Sequence, residues 1–247
     1  MLSFRTGNRI IAHRGLHGDR STAPENSMEA FRRAVRAGYG IELDIQFSRD
    51  RQIVVFHDDT LHRVCGVCGR VRDYTYEELQ QFPLHGSPER IPLFSDVLKL
   101  VDGRVPLVVE LKAQGNRYIP ELCRQAALLL DRYPGEYCVE SFHPRYVNWF
   151  RLHRPLVRRG QLCTDFFLTN AQGMRWQFFL LETMATNLIT RPDFISFDIR
   201  FRHHPAFRFW RHFCTPVGWT LRPGTPEPQK LLEEFDYLIA ERVTSSD

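Results

Sequence analysis

The residues whose types and spacing could do chemistry lie together in one short stretch, Ile41–Asp58, where Glu42, Asp44 and His57 combine two carboxylates with an imidazole. Such a set is the equipment of metal ligation and of proton transfer. Glu42 and Asp44 alternate with Ile41, Leu43 and Ile45 at the two-residue period of a strand, so both carboxylates project from one face. A second β-rich run, Ile53 to His57, follows too closely for the crossover that parallel neighbours need, which makes the pair an antiparallel hairpin. With its turn centred on Asp50-Arg51, Asp44 is expected opposite His57 and Glu42 opposite Asp59. A core strand accepts such groups only when they are partnered; the alternative is an exposed hairpin with a polar face.

The elements that must position this stretch follow from the rest of the chain. A chain of 247 residues, 43% apolar, can bury a full-sized core, and the expected organisation is a single domain over 1–247. No run of about eighteen apolar residues occurs and Met1–Arg9 has no apolar signal-peptide core, so a cytoplasmic protein is expected. Cysteines 65, 68, 123, 138, 163 and 214 mostly sit in apolar runs, where reduced thiols act as small hydrophobes. Cys65-Gly-Val-Cys68 lacks the second pair that a zinc site needs. The formal charge of +4 favours anionic ligands only weakly, and without a basic run or a recognition motif no nucleic-acid partner is expected.

A short strand, Arg9–His13, leads through Pro24-Glu25-Asn26-Ser27 into a helix over Met28–Ala37, capped by Asn26 or Ser27 and ended by Gly38 or Gly40. After the hairpin comes a loop-rich insertion, about 59–92, with one short helix near Thr75–Leu79. The pattern then alternates: helix Leu93–Val101, strand Leu107–Lys112, helix Tyr118–Arg132, strand Tyr137–Ser141, helix Pro144–His153, strand Arg159–Cys163. It continues through a helix near Gly173–Leu188, strand Phe194–Asp198, a helix around Pro205–Phe213, strand Val217–Leu221, helix Pro228–Phe235 and strand Tyr237–Ala240. Without the returning hairpin arm this makes eight strands alternating with helices, the pattern of an α/β (β/α)8 TIM barrel with a β-hairpin extension after strand 2. No glycine-rich phosphate loop follows any strand, which disfavours a doubly wound sheet.

In a barrel, His13 ends the first strand, Glu42 and Asp44 the second, and Glu110 and Lys112 the third, so these groups meet at one rim. Three carboxylates this close require a cation, and oxygen-only ligands favour one hard divalent ion, Mg2+ or Ca2+. Arg14 and Lys112 add positive charge that suits a phosphate, although Lys112 also reads as a simple ion-pair partner near Glu110.

These residues resemble the glycerophosphodiester phosphodiesterase family. The likeness runs through His13-Arg14-Gly15, Pro24-Glu25-Asn26-Ser27, Glu42-Leu-Asp44, His57-Asp58 and Glu110-Leu-Lys112, then Ser141-Phe142 and Trp219-Thr220. It implies a metal-dependent (β/α)8 barrel with His13 and His57 catalytic, Glu42, Asp44 and Glu110 on the metal, and Arg14 and Lys112 on the phosphate. Arg51 stands where a turn glycine is usual, asking for a different turn type; Ser27 replaces a threonine; Ala240-Glu241 replaces the family's Thr-Asp; and Cys65 and Cys68 occupy a loop usually built from Thr, Asn and Gly.

The implied substrate is a small glycerophosphodiester, cleaved to sn-glycerol 3-phosphate and an alcohol with the two imidazoles as base and acid. Trp219 reads equally as a pocket wall or as barrel core, and Glu25 as a loop anchor or part of the metal's surroundings. Two rival readings are lysophospholipase D-like hydrolysis of lysophospholipids and a binding protein without catalysis. Arg200–Phe213 is the most basic and aromatic stretch. Helical spacing there gathers Phe207, Trp210 and Phe213 on a buried face with Arg202, Arg208 and Arg211 outside, or the stretch makes a weak peripheral contact with an anionic membrane.

Overall fold

Strand β1 (Ile10–Ala12) and helix α1 (Met28–Ala37) lead into β2 (Gly40–Phe47), which is buried at every position. The computed structural model describes residues 2–4, 7–116, 118–165 and 183–242. On β2, Ile41, Leu43, Ile45 and Phe47 pack outward with Phe31 and Ala34 of α1, which leaves Glu42, Asp44 and Gln46 facing inward. Helix α1 has the expected bounds: the Ser27 side chain accepts from the Ala30 amide at its start, and Gly38, at φ 74°, ends it in the left-handed region.

The returning arm β3 (Ile53–Val55) pairs antiparallel with β2 through Ile45↔Val55, Gln46↔Val54 and Phe47↔Ile53. This register differs by one residue from the expected one. Asp44 lies opposite Phe56, whose amide donates to the Asp44 carbonyl at 2.9 Å, and β3 stops before His57 and Asp59. The cause is the turn, in which the Ser48 amide donates to Gln52 O at 3.0 Å, centring the loop on Asp50 rather than on the Asp50-Arg51 bond. Arg51 takes φ 63°, so the backbone keeps the left-handed conformation a glycine would have used rather than changing turn type.

The insertion carries α2 (His62–Cys65) and α3 (Tyr76–Leu79). Val54, Phe56, Leu61, Val64, Val71, Leu79, Leu84 and Ile91 form its own small core against β3, and only α3 was legible in the sequence.

Beyond α4 (Phe94–Val101) come β4 (Leu107–Leu111), α5 (Pro120–Leu130), β5 (Tyr137–Ser141), α6 (Pro144–His153) and β6 (Arg158–Cys163). They are followed by α7 (Asn187–Thr190), β7 (Phe194–Asp198), α8 (Pro205–Trp210), β8 (Thr215–Leu221), α9 (Pro228–Glu234) and β9 (Tyr237–Ala240). The parallel strands run β1-β2-β4-β5-β6-β7-β8-β9, and β9 pairs back onto β1, which closes an eight-stranded TIM barrel. Ile11, Val108, Val217 and Ile239 fill its N-terminal end with Leu2 and Phe4. Among the described residues no helix is long and apolar enough to cross a membrane.

Helix α5 begins at Pro120 rather than Tyr118, since proline suits the first helical position, where its missing N–H is no loss. The helix expected near Gly173–Leu188 falls mainly on 166–182, outside the described residues. Helix α8 ends at Trp210, so Phe213 does not share its inner face. Phe207 is fully buried and Trp210 half-buried, but Phe213 is 68% exposed and Phe209 56%, which corrects the expectation that Phe213 packs inward.

Candidate active site

Strand ends place the polar groups. The His13 amide continues the barrel ladder to Ala240 O at 2.9 Å, and the chain then turns sharply at Arg14 (φ 54°) and Gly15 (φ 80°). A Cβ on Gly15 would lie 3.0 Å from Ala30 and Phe31, so α1 packs against the turn only because that side chain is absent. The turn aims the Arg14 amide at Glu42 Oε2, 3.0 Å away. Asn26, also left-handed at φ 55°, is tied by its amide to Arg14 O and by its side chain to Asp44 Oδ2 at 2.8 Å.

Glu42, Asp44 and Glu110 offer carboxylate oxygens that lie within 4.8 Å of one another, all three residues buried. Asp44 and Glu110 are ladder neighbours across β2 and β4. Lys112 Nζ stands 2.8 Å from Glu110 and 3.3 Å from Asp44. Burial, with the charges of Asp44 and Glu110 beside it, raises Glu42 well above the ordinary carboxyl range. Burial likewise pushes Glu110 up to about 7 against the opposing charge of Lys112. Burial would raise Asp44 too, but Lys112, His57, Arg14 and the Asn26 amide together hold it far below the usual range. Asp44 Oδ1 is buried and meets Lys112 Nζ only as an ion pair at 3.3 Å, and Arg14 Nε, 3.6 Å from Asp44 Oδ2, is buried without a hydrogen bond. All-oxygen donors and crowded negative charge, with Glu42 and Glu110 both raised by burial, fit a hard divalent cation.

His13 presents Nε2 to Glu42 at 3.8 Å and Nδ1 to Glu241 at 3.2 Å. Its burial lowers it to about 4, opposed by the Glu241 hydrogen bond. His57 reaches the same rim from the loop after β3, with Nδ1 2.6 Å from Asp58. Burial and then the Lys112 charge lower it. Each imidazole is thus held through Nδ1 by a carboxylate, which leaves Nε2 for other partners. The two supports are themselves anchored: Arg222 reaches Glu241 at 3.1 Å, and Arg63 of α2 reaches Asp58 at 2.7 Å and Glu25 at 2.6 Å. Glu25 also accepts from Arg14 at 2.7 Å, so it is a loop anchor that joins the insertion to the turn after β1.

Sequence reasoning missed Asn26 as a partner of Asp44, Arg63, the part played by Glu241, and Glu140. The last lies on β5 beside Glu110, is 2% exposed, and accepts from the Ser196 hydroxyl. Alternation on β5 was the available signal, because Cys138 and Glu140 share its inward face. Trp219 is half-buried among the interior apolar residues, edge-on to Phe142 with centroids 5.7 Å apart. Its buried indole N–H has no hydrogen-bond partner among the described residues.

Burial raises Glu140 to about 8, from an ordinary value of 4.5. Between these values the folded chain keeps a proton that the unfolded chain releases, so rising pH favours unfolding by up to about 1.4 kcal/mol per pH unit. Glu140→Gln keeps an acceptor for Ser196 and cannot ionise. Its melting temperature is therefore expected to gain steadily on wild type from about pH 5 to pH 8 in calorimetry, and parallel profiles would exclude Glu140 as the titrating group.

Residues 13–184 match the model of the Glycerophosphoryl diester phosphodiesterase family. A Bacillus altitudinis protein named glycerophosphodiester phosphodiesterase is 37% identical over 167 residues, 64% of this chain and 67% of that protein. A human protein named Lysophospholipase D GDPD1 is 31% identical over 143 residues, 53% of this chain and 43% of its own length. Among solved structures, an Oleispira antarctica phosphodiesterase in complex with the product sn-glycerol-3-phosphate matches with a TM-score of 0.76 at 19% identity, covering 95% of this chain and 93% of that one. A Thermotoga maritima glycerophosphodiester phosphodiesterase matches with a TM-score of 0.69 at 23% identity, covering 95% and 94%. At these identities the structural likeness shows the barrel.

Proposed function

The chain belongs to the glycerophosphoryl diester phosphodiesterase family, which makes it an enzyme, and from that premise we propose that it hydrolyses small glycerophosphodiesters to sn-glycerol 3-phosphate and an alcohol. The observation that carries the reading is one rim holding three carboxylates, two carboxylate-supported imidazoles and two cationic side chains. We assign the whole chain to one catalytic domain.

A divalent ion, Mg2+ or Ca2+, held by Glu42, Asp44 and Glu110 would supply charge that polarises a phosphoryl oxygen. Arg14, with its orphaned Nε, and Lys112 neutralise the anionic diester and hold it against the rim. One of His13 and His57 takes the proton from the attacking oxygen, either water or the neighbouring glycerol hydroxyl. The other returns a proton to the departing alcohol. Asp58 and Glu241 keep the two rings oriented through Nδ1. Trp219 and Phe142 give the rim an apolar wall for the glycerol or head-group carbon.

The test is an assay of the purified protein with glycerophosphocholine and either Mg2+ or Ca2+, coupled to enzymatic detection of glycerol 3-phosphate. Glycerol 3-phosphate formed in step with choline, and abolished by EDTA, is the expected result. Release of glycerol and phosphocholine instead overturns the bond assignment, and no turnover of any glycerophosphodiester leaves a binding protein. The similarity to the human lysophospholipase D supports a second reading, hydrolysis of lysophospholipids on the same scaffold. A rate that climbs with acyl-chain length in lysophosphatidylcholines and exceeds that on glycerophosphocholine would favour it.

A further inference from the structure

Among the described residues, most of the large apolar side chains left exposed are not scattered over the barrel. Leu152 (60% exposed), Leu156 (95%), Leu188 (72%), Ile189 (64%), Phe209 (56%) and Phe213 (68%) all lie near the C-terminal ends of α6, α7 and α8 or in the loops that follow them. Each of those helices leads directly into the start of a strand, β6, β7 or β8, so the six sit at the N-terminal end of the barrel. The three elements are joined to one another. Arg151 of α6 donates to Ile189 O at 2.6 Å, the Trp210 indole to Thr183 O at 3.3 Å, and the Cys214 thiol to Pro192 O at 3.4 Å. The Phe209 and Phe213 rings stand together, with centroids 5.2 Å apart.

The same flank carries exposed positive charge. The ends of α6, α7 and α8 and the loops after them hold Arg151, Arg154, Arg158, Arg159, Arg191, Arg208 and Arg211 with Asp193 as their one acid, and Asp131, Glu233, Glu234 and Asp236 adjoin them from neighbouring elements. Of these acids, Asp193 is already engaged with Arg158 and Arg159, Asp131 with Arg154 and Glu234 with Arg202. Arg191 and Arg208 are exposed beside the apolar residues.

We infer that this flank is a docking surface for an anionic phospholipid membrane. Aliphatic and aromatic side chains enter the boundary between head groups and acyl chains, while arginines meet the lipid phosphates. The charge argues against a second copy of the chain as occupant, because a two-fold contact through this face would set arginines against arginines. Exposed Leu and Ile, which offer no face for base stacking, argue against single-stranded nucleic acid.

The orientation deepens the proposed function, on which this step rests. The catalytic rim lies at the opposite, C-terminal end of the strands, so a protein docked in this way turns its mouth toward water. It would receive diesters already freed from their acyl chains, rather than lysolipids held in the same bilayer.

Co-sedimentation with vesicles of phosphatidylcholine, with and without phosphatidylglycerol, tests the surface. Binding at least ~10-fold tighter to the anionic vesicles, weakened by salt, is expected. Leu156→Ser with Phe213→Ser should weaken it by roughly 10-fold, as should Arg191→Glu with Arg208→Glu. Both double variants should hydrolyse glycerophosphocholine at the wild-type rate in vesicle-free buffer, since none of these residues lies at the catalytic rim. Equal pelleting with both vesicles, none at all, or unchanged binding by both variants overturns the proposal. So does self-association by light scattering that the Ser variant abolishes, or retention of single-stranded RNA that the Glu variant abolishes. Vesicle binding without diesterase activity would leave the surface standing and remove the reaction, while activity without vesicle binding would do the reverse.

Discussion

Alanine at His57 or at His13 is expected to lower the turnover of glycerophosphocholine by roughly 10²–10⁴-fold, the usual contribution of a positioned acid or base, with little change in melting temperature. Neither ring is packed in the core, and each leaves behind a carboxylate that keeps another partner, Asp58 with Arg63 and Glu241 with Arg222. No buried charge is therefore orphaned by the substitution, which is the usual route to a large loss of stability. The loss should fall on turnover rather than on KM, because Arg14 and Lys112, which are proposed to hold the phosphate, remain in place. Repeating the series with bis(p-nitrophenyl) phosphate separates the roles. p-Nitrophenolate leaves without a proton, so the variant lacking the acid should recover much of its rate while the variant lacking the base should not. Near wild-type turnover on glycerophosphocholine in either variant would remove that residue from the mechanism.

What could be read from the chain and what could not divide along physical lines. Helix α1 carries its own punctuation, Ser27 at one end and Gly38 at the other, and β5, β7 and β9 are short apolar runs between turn residues. All were expected with the bounds observed. The hairpin register slipped by one residue because it depends on the backbone of Arg51, whose left-handed φ of 63° is invisible in a residue type that seldom adopts it. The three-carboxylate cluster needed only alternation on two strands. Its supports needed the folded barrel: Glu241 lies 228 residues from His13 and becomes its neighbour only because β9 pairs with β1. Barrel closure was itself foreseen, so the end of the last strand was the place to look for a partner to the end of the first. Arg63 had no such signal, since the short helix that carries it lies in an insertion whose path follows from its own small core.

The acid cluster should answer to substitution with opposite signs at its two β2 members. Glu42 has its folded value raised by burial and by Asp44 and Glu110, so its ionisation opposes folding, and that cost grows as pH rises above the ordinary glutamate value. Glu42→Gln should therefore match or raise the melting temperature in EDTA at neutral pH. Asp44 is the reverse case: Lys112, His57, Arg14 and Asn26 hold its folded value down, so it contributes stability above the ordinary aspartate value that is lost as pH falls. Asp44→Asn should lower the melting temperature in the same buffer, because Lys112 and Arg14 then share too little negative charge. Excess Mg2+ or Ca2+ changes the comparison. An ion that binds only the folded chain stabilises it by about 2.7 kcal/mol at a concentration 100 times Kd. Loss of one carboxylate should weaken that binding by at least ~10²-fold, judged against the ~10–100-fold typical for partners one shell further out. Wild type should then gain several degrees on adding the ion, Glu42→Gln, Asp44→Asn and Glu110→Gln should gain little, and turnover should fall with the lost gain. A full ion-dependent rise in all three variants, measured by scanning calorimetry and checked by titration calorimetry, would move the cation away from Glu42, Asp44 and Glu110 and with it the phosphate that Arg14 and Lys112 are proposed to hold.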